Sequence, residues 1–158
     1  MSLSASFLLV LLLEGFGQPI GMSFQEAKNL GISFTQLDSL YKSAIHTDTS
    51  LAVFKTYEQQ DELQKAYFQI LKDLGKFLNI NGLKWEKPTR CFNRIYFKED
   101  GSIDYFFYNF LGNAEDKPSQ EVQEFFKKIL QEFIQNYKFA LKADVKFVQC
   151  GPSFYKIK

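Results

Sequence analysis

His46 is the one histidine of the chain, and Cys91 and Cys150 are its two cysteines, so the side chains able to act as nucleophile, general base or soft metal ligand are few and scattered. One histidine cannot make a two-His metal site, no Cys-x-x-Cys spacing occurs, and no nucleophile motif flanks either cysteine that would call on His46 as its base. His46 therefore reads as a surface or capping residue. The carboxylates Asp100 and Asp104, and Glu115 and Asp116, stand in turn and helix-start contexts rather than as an acid/base pair. The 9 glycines are dispersed as turn residues and form no phosphate-binding loop. The expectation is a chain without catalytic residues, metal or cofactor.

Charge points the same way: 19 Lys+Arg against 18 Asp+Glu leave a net charge of +1, too little for a global nucleic-acid-binding field. One stretch is locally basic. Lys84, Lys87, Arg90, Arg94 and Lys98 interleave with Trp85, Phe92 and Tyr96, a mixture that a single-stranded nucleic-acid platform would use. It equally suits an edge strand whose lysines and arginines discourage sheet-to-sheet association, and that is the reading adopted, with no nucleic-acid partner. Aromatic residues make up 17% of the chain, with 18 Phe and 8 Tyr, and most are expected in the core. Tyr105, Phe107 and Tyr108 are the candidates for lining a ligand cavity between sheet and helices.

The elements that must position these residues follow from periodicity. A length of 158 residues with 46% hydrophobic content suits one domain with a substantial core. Residues 7–13, FLLVLLL, are too few to span a bilayer but long enough for the apolar region of a signal peptide, and Gly15 and Gly17 would permit cleavage near Gln18. The expected organisation is a signal peptide over residues 1–17 and a domain over 18–158, with a helical part at 23–82. No transmembrane span is expected, and the location is extracytoplasmic, either periplasmic or secreted. Within the helical part, spacing predicts one helix over 34–45, capped by Ser33 or Thr35, and a longer one over 57–79 carrying Leu63, Tyr67, Ile70, Leu71, Leu74, Phe77 and Leu78 on one stripe. Residues 51–54 are apolar throughout and fit either helix or strand.

The second part, 90–150, reads strand, strand, helix, strand. Residues 90–98 and 103–111 are rich in aromatic and β-branched residues and are joined by Glu99-Asp100-Gly101-Ser102, a hairpin signal. Both faces of the second strand are apolar, so the sheet needs cover on both sides. A helix starting near Ser119, with Val122, Phe125, Phe126, Ile129, Leu130, Phe133, Ile134 and Tyr137 on its stripe, supplies one cover, and the amino-terminal helices supply the other. A third strand begins near Val145, and Gly151-Pro152 ends or bends it.

This order, together with the turn string FKEDGSID from Phe97 to Asp104, resembles the carboxy-terminal domain of the TonB energy-transducer family over about residues 60–150. The resemblance implies an α+β fold in which helices precede a ββαβ unit with a three-stranded antiparallel sheet. With 4 Pro the chain lacks a Pro-rich periplasmic spacer, so the likeness bears on fold and envelope location rather than on energy transduction. It also implies that strand three, at Val145, Lys146, Phe147 and Val148, is an edge able to capture a partner segment by β-augmentation. A third implication concerns the cysteines. With strands one and three antiparallel, Cys91 and Cys150 fall at one end of the sheet and a disulfide between them is expected in an exported chain. The alternatives are two inert core thiols, or a third strand paired with the second that holds the cysteines apart. The expected function is a non-catalytic binding or interaction protein of the cell envelope with a protein partner. The second reading is a small ligand carrier or enzyme.

Overall fold

Ser23 ends a strand and starts a helix with one side chain. In the computed structural model, which describes residues 17–157, β1 (Ile20–Ser23) runs directly into α1 (Phe24–Asn29). The junction is a capping box: Ser23 Oγ accepts the Glu26 N–H at 3.2 Å, and the Glu26 carboxylate accepts the Ser23 N–H at 2.9 Å. A second short helix, α2 (Phe34–Leu40), starts on the Ser33 cap and leads into β2 (Lys42–Ser43). Residues 51–54 are neither long helix nor strand. A 3-10 turn at Thr49–Leu51 releases the chain so that the Val53 and Phe54 N–H groups reach back to the Ser43 and Ala44 carbonyls, both at 3.0 Å.

The long helix α3 (Tyr57–Ile80) opens on a Thr56–Gln59 capping box. It stops at Gly82, whose φ of 88° permits bonds from Gly82 N–H to Asn79 O and from Leu83 N–H to Leu78 O. The hairpin of β3 (Thr89–Phe97) and β4 (Ile103–Phe110) turns at Gly101, where φ is 84° and an added Cβ would lie 2.7 Å from the Phe139 carbonyl oxygen. Helix α4 (Gln120–Ile134) starts on the Ser119 cap, and β5 (Phe147–Tyr155) closes the chain.

These elements form a five-stranded mixed sheet in the order β1-β4-β3-β5-β2, with β1 parallel to β4, β2 parallel to β5, and antiparallel pairs between. The three-stranded antiparallel sheet expected from the TonB resemblance is thus corrected. Its antiparallel centre is present, but each side carries an added parallel strand. Those strands are four and two residues long, too short for an alternation of polar and apolar residues to register. Within that antiparallel centre β3 lies between β4 and β5, so its arginines are not edge residues.

Both faces of the sheet are covered, unequally. Ile95, Phe97, Phe106, Tyr108 and Phe147 lie under α3 and α4, in a core shared with Leu63, Ile70, Leu74, Phe126 and Leu130. The reverse face, with Tyr96, Phe107 and Val148, lies under the short helices α1 and α2. The long amino-terminal helix therefore packs beside α4 rather than opposite it; Phe77 and Phe133 meet with ring centroids 5.6 Å apart.

Candidate binding groove

Backbone direction in β5 decides what its outer edge can do. The Arg90 carbonyl accepts the Leu111 N–H, so even-numbered residues of β3 turn their backbone groups toward β4 and odd-numbered ones toward β5. Odd residues of β5 answer them, and even residues face outward: the Lys146 and Val148 carbonyls accept from Lys42 and Ala44 N–H at 3.0 and 2.9 Å. Pro152 falls on the outward parity, so its missing N–H removes no bond to β3, and β5 continues through Gly151-Pro152 instead of ending there. Beyond β2 the outward carbonyl of Cys150 is met by Gln149 Nε2 at 3.0 Å, and that of Pro152 by the Tyr67 hydroxyl at 3.5 Å. The N–H and C=O of Phe154 face outward, and among the described residues no strand lies beside them.

Helix α3 runs alongside this edge. From Gln60 to Asn79 the flank nearest β5 recurs at helical spacing through Gln64, Phe68, Lys72 and Gly75, roughly 28 Å of groove wall at about 1.5 Å per residue. Between helix and strand lie two adjoining volumes of about 660 and 640 Å3 that share Lys72, Gly75, Phe154 and Tyr155; a third of about 410 Å3 joins the second at Phe68 and Pro152. The floor is apolar: Trp85 stacks on Tyr155 at 4.3 Å between centroids, and the Tyr67 ring lies against Gly151, where a Cβ would come within 2.7 Å of it. Phe68 leaves 59% of its surface exposed on the helix wall, while Phe154 lines the strand wall with its side chain turned, by strand alternation, to the face opposite Tyr155. At Gly75 an added Cβ would meet nothing within 4 Å. A mid-helix glycine there weakens α3 without relieving any crowding.

The rim is basic. Lys72, Lys76, Lys84 and Lys156 line the two larger volumes, and among the described residues no Asp or Glu does. The acids nearest in sequence are engaged elsewhere: the Asp73 carboxylate accepts from Gln69 and Tyr137, and that of Glu86 from Ser119. Beneath the floor, Asn93 is fully buried and donates to Ser153 Oγ at 3.0 Å and to Tyr67 Oη at 3.4 Å, which fixes the Tyr67 ring.

The residues singled out from the sequence are distributed differently. Cys91 and Cys150 do not form a disulfide. In the β3–β5 register Cys91 opposes Ser153 and Cys150 opposes Arg94, so the two thiols project from opposite faces of the sheet. Burial pushes the Cys91 thiol up to about 12, against the smaller pull of hydrogen bonds from Asn109 and Ser153, and burial also raises Cys150. Both are protonated, unreactive thiols near neutral pH. The segment expected to be a free edge is not free at Phe147 and Val148, which β2 covers, while Val145 precedes the strand and Lys146 reaches over the Tyr41 ring toward Asp104 at 3.5 Å. Of the aromatic trio, Tyr105 and Phe107 share the α1–α2 face and stack at 5.4 Å, whereas Tyr108 points to the other core. They line none of the three groove volumes.

The basic stretch is likewise divided. Lys84 lines the groove, Arg90 shares the strand parity of Arg94, and Lys87 donates to the Glu115 carbonyl. On the reverse face Arg94 pairs with Asp38 and donates to Tyr96, and Lys98 meets Asp104 at 3.4 Å; Asp104 also accepts from Tyr41 at 2.6 Å. These links hold α2 on the sheet. His46 Nδ1 accepts the Asp48 N–H at 2.9 Å, a turn cap.

Sequence reasoning missed the groove. Its signals were present: Phe68 lies off the apolar stripe of α3, Gly75 interrupts a helical run, and Pro152 within a strand marks an edge. The apolar run at 7–13 lies outside the described residues. Among the described residues no helix is long and apolar enough to cross a membrane, and no group of three His, Cys, Asp or Glu side chains is placed to hold a metal ion. No family model, curated protein or solved structure matches the chain.

Proposed function

We propose that this chain is a non-catalytic protein-interaction module that takes up a segment of a partner polypeptide in the groove between α3 and the outer edge of β5. One observation carries the reading: an apolar groove with exposed Phe68 on its helix wall runs beside a strand whose last outward backbone groups, at Phe154, have no strand partner among the described residues. Helix-in-groove and strand-addition recognition both use such surfaces. The edge offers few backbone bonds, because Pro152 lacks an N–H and Gln149 occupies the Cys150 carbonyl, so side-chain burial must supply most of the affinity.

The apolar run at residues 7–13 supports an extracytoplasmic place of work. Selection of short peptides from a random display library against the wild-type protein, followed by binding to Gly75→Leu, tests the groove. Selected peptides should lose about tenfold or more in affinity when leucine fills the gap, with the far-ultraviolet circular dichroism unchanged. Peptides indifferent to Gly75→Leu, or no peptides at all, count against it.

A further inference from the structure

We infer that the segment taken up in the α3–β5 groove is acidic, with apolar side chains that seat in the gap above Gly75; this rests on the groove being a polypeptide site and specifies its partner. The charge distribution carries it. Four lysines, Lys72, Lys76, Lys84 and Lys156, line the two larger volumes, and among the described residues no carboxylate lines either, in a chain whose net charge is +1. None of the four lysines takes part in an ion pair among the described residues, and all are exposed. Like charges gathered around an apolar floor repel one another, and an occupant of opposite sign relieves that repulsion.

The charge is also graded along the groove. At the other end, around Phe68, the polar lining residues are Gln60, Gln64 and Gln149 with Tyr67, and no lysine or arginine joins them. An occupant therefore places its acidic residues toward the end of α3 near Asn79 and its neutral residues toward Gln60. Spacing argues for a polypeptide over a single-headed amphiphile. The cations extend from Lys72 on the helix to Lys156 beyond β5, more anchor points than one carboxylate headgroup engages, and the outward N–H and C=O of Phe154 are of use to a peptide backbone and not to an alkyl chain.

Gly75 is the second, separate observation. It stands where the two larger volumes meet, and the absence of any atom within 4 Å of its would-be Cβ leaves room for a side chain inserted from outside.

The test uses the whole chain and fluorescence anisotropy with a labelled short peptide alternating Glu with Leu and Phe, beside a counterpart carrying Lys in place of Glu. The expected result is that the acidic peptide binds, the basic one binds at least about tenfold more weakly, added salt weakens the acidic peptide, and Lys72→Glu with Lys76→Glu removes the preference. Gly75→Leu should block whichever peptide binds. If both peptides bind equally and Gly75→Leu blocks both, the groove stands as a peptide site and the acidic partner is overturned. If neither binds, or Gly75→Leu changes nothing, both readings are overturned. Tighter binding of oligothymidylate or of laurate at the same lysines would replace the acidic polypeptide with a nucleic acid or a fatty acid and overturn the inference.

Discussion

The two edges of the sheet are finished in opposite ways. At the β1 edge, Gln131 of α4 uses its amide as a piece of strand: Oε1 accepts the Gly21 N–H at 2.9 Å and Nε2 donates to the Pro19 carbonyl at 2.8 Å. Gly21 lets α4 come that close, since an added Cβ would lie 3.2 Å from Leu130 and from Ile134. The β5 edge is covered by β2 for two residues and then left with a proline, a borrowed glutamine and an open Phe154. Edges are closed in native sheets because unpaired backbone invites association. A chain that seals one edge with a helix, yet leaves an apolar, basic groove along the other, puts the proposed interaction surface at the second.

The largest expected break of this contrast is Gly151→Ala. Its Cβ would fall within 2.8 Å of three Tyr67 ring and hydroxyl atoms, and Tyr67 is held by Asn93 and the Pro152 carbonyl, so the ring must leave the groove floor. A loss of about 1–3 kcal/mol in urea unfolding is expected, with weaker peptide binding. On the sealed side, Gln131→Leu leaves the Gly21 N–H and the Pro19 carbonyl without their partner and should cost about 1–2 kcal/mol, with groove binding intact. Smaller and of opposite sign is Gly75→Ala, whose Cβ meets nothing; α3 should gain about 0.5–1 kcal/mol, visible as a raised thermal midpoint.

Acid should sharpen the contrast with the smallest effect. Burial pushes the Glu26 carboxyl upward, but hydrogen bonds from the Lys127 ammonium and from the Ser23 N–H and hydroxyl outweigh it and hold the group below its ordinary value. A depressed carboxyl contributes stability that is complete above its unfolded pKa and is lost as pH falls through the lowered folded value. Amide exchange measured on descending pH should therefore show β1 and α1 loosening, with the exposed β5 edge unchanged.

Much of the centre of the fold was legible. The 57–79 stripe became Tyr57–Ile80, Ser119 capped its helix, and Asp100-Gly101 turned the hairpin, because each is a local signal of capping, periodicity or positive φ. The margins were not legible. Strands of four and two residues carry no period, and their parallel pairings join segments far apart in sequence. Gly151-Pro152 read as an end or a bend of the strand because the side on which a strand lacks a neighbour is unknown until the register is fixed. The same extension of β5 moved Cys150 from the end of a strand to its interior and onto the face opposite Cys91. The groove was invisible for a related reason. It is made by one flank of α3 and the outward parity of β5, neither of which the sequence places beside the other.

Residue-resolved amide hydrogen exchange tests the contrast between the edges most directly, with Gly21 and Phe154 as its reporters. In the free protein, Gly21 N–H should be protected by Gln131, while Phe154 N–H, facing outward without a strand, should exchange rapidly. Saturating acidic peptide should protect Phe154 and leave Gly21 unchanged. A Phe154 amide already protected in the free protein, or one that stays fast when the peptide is bound, would contradict the account.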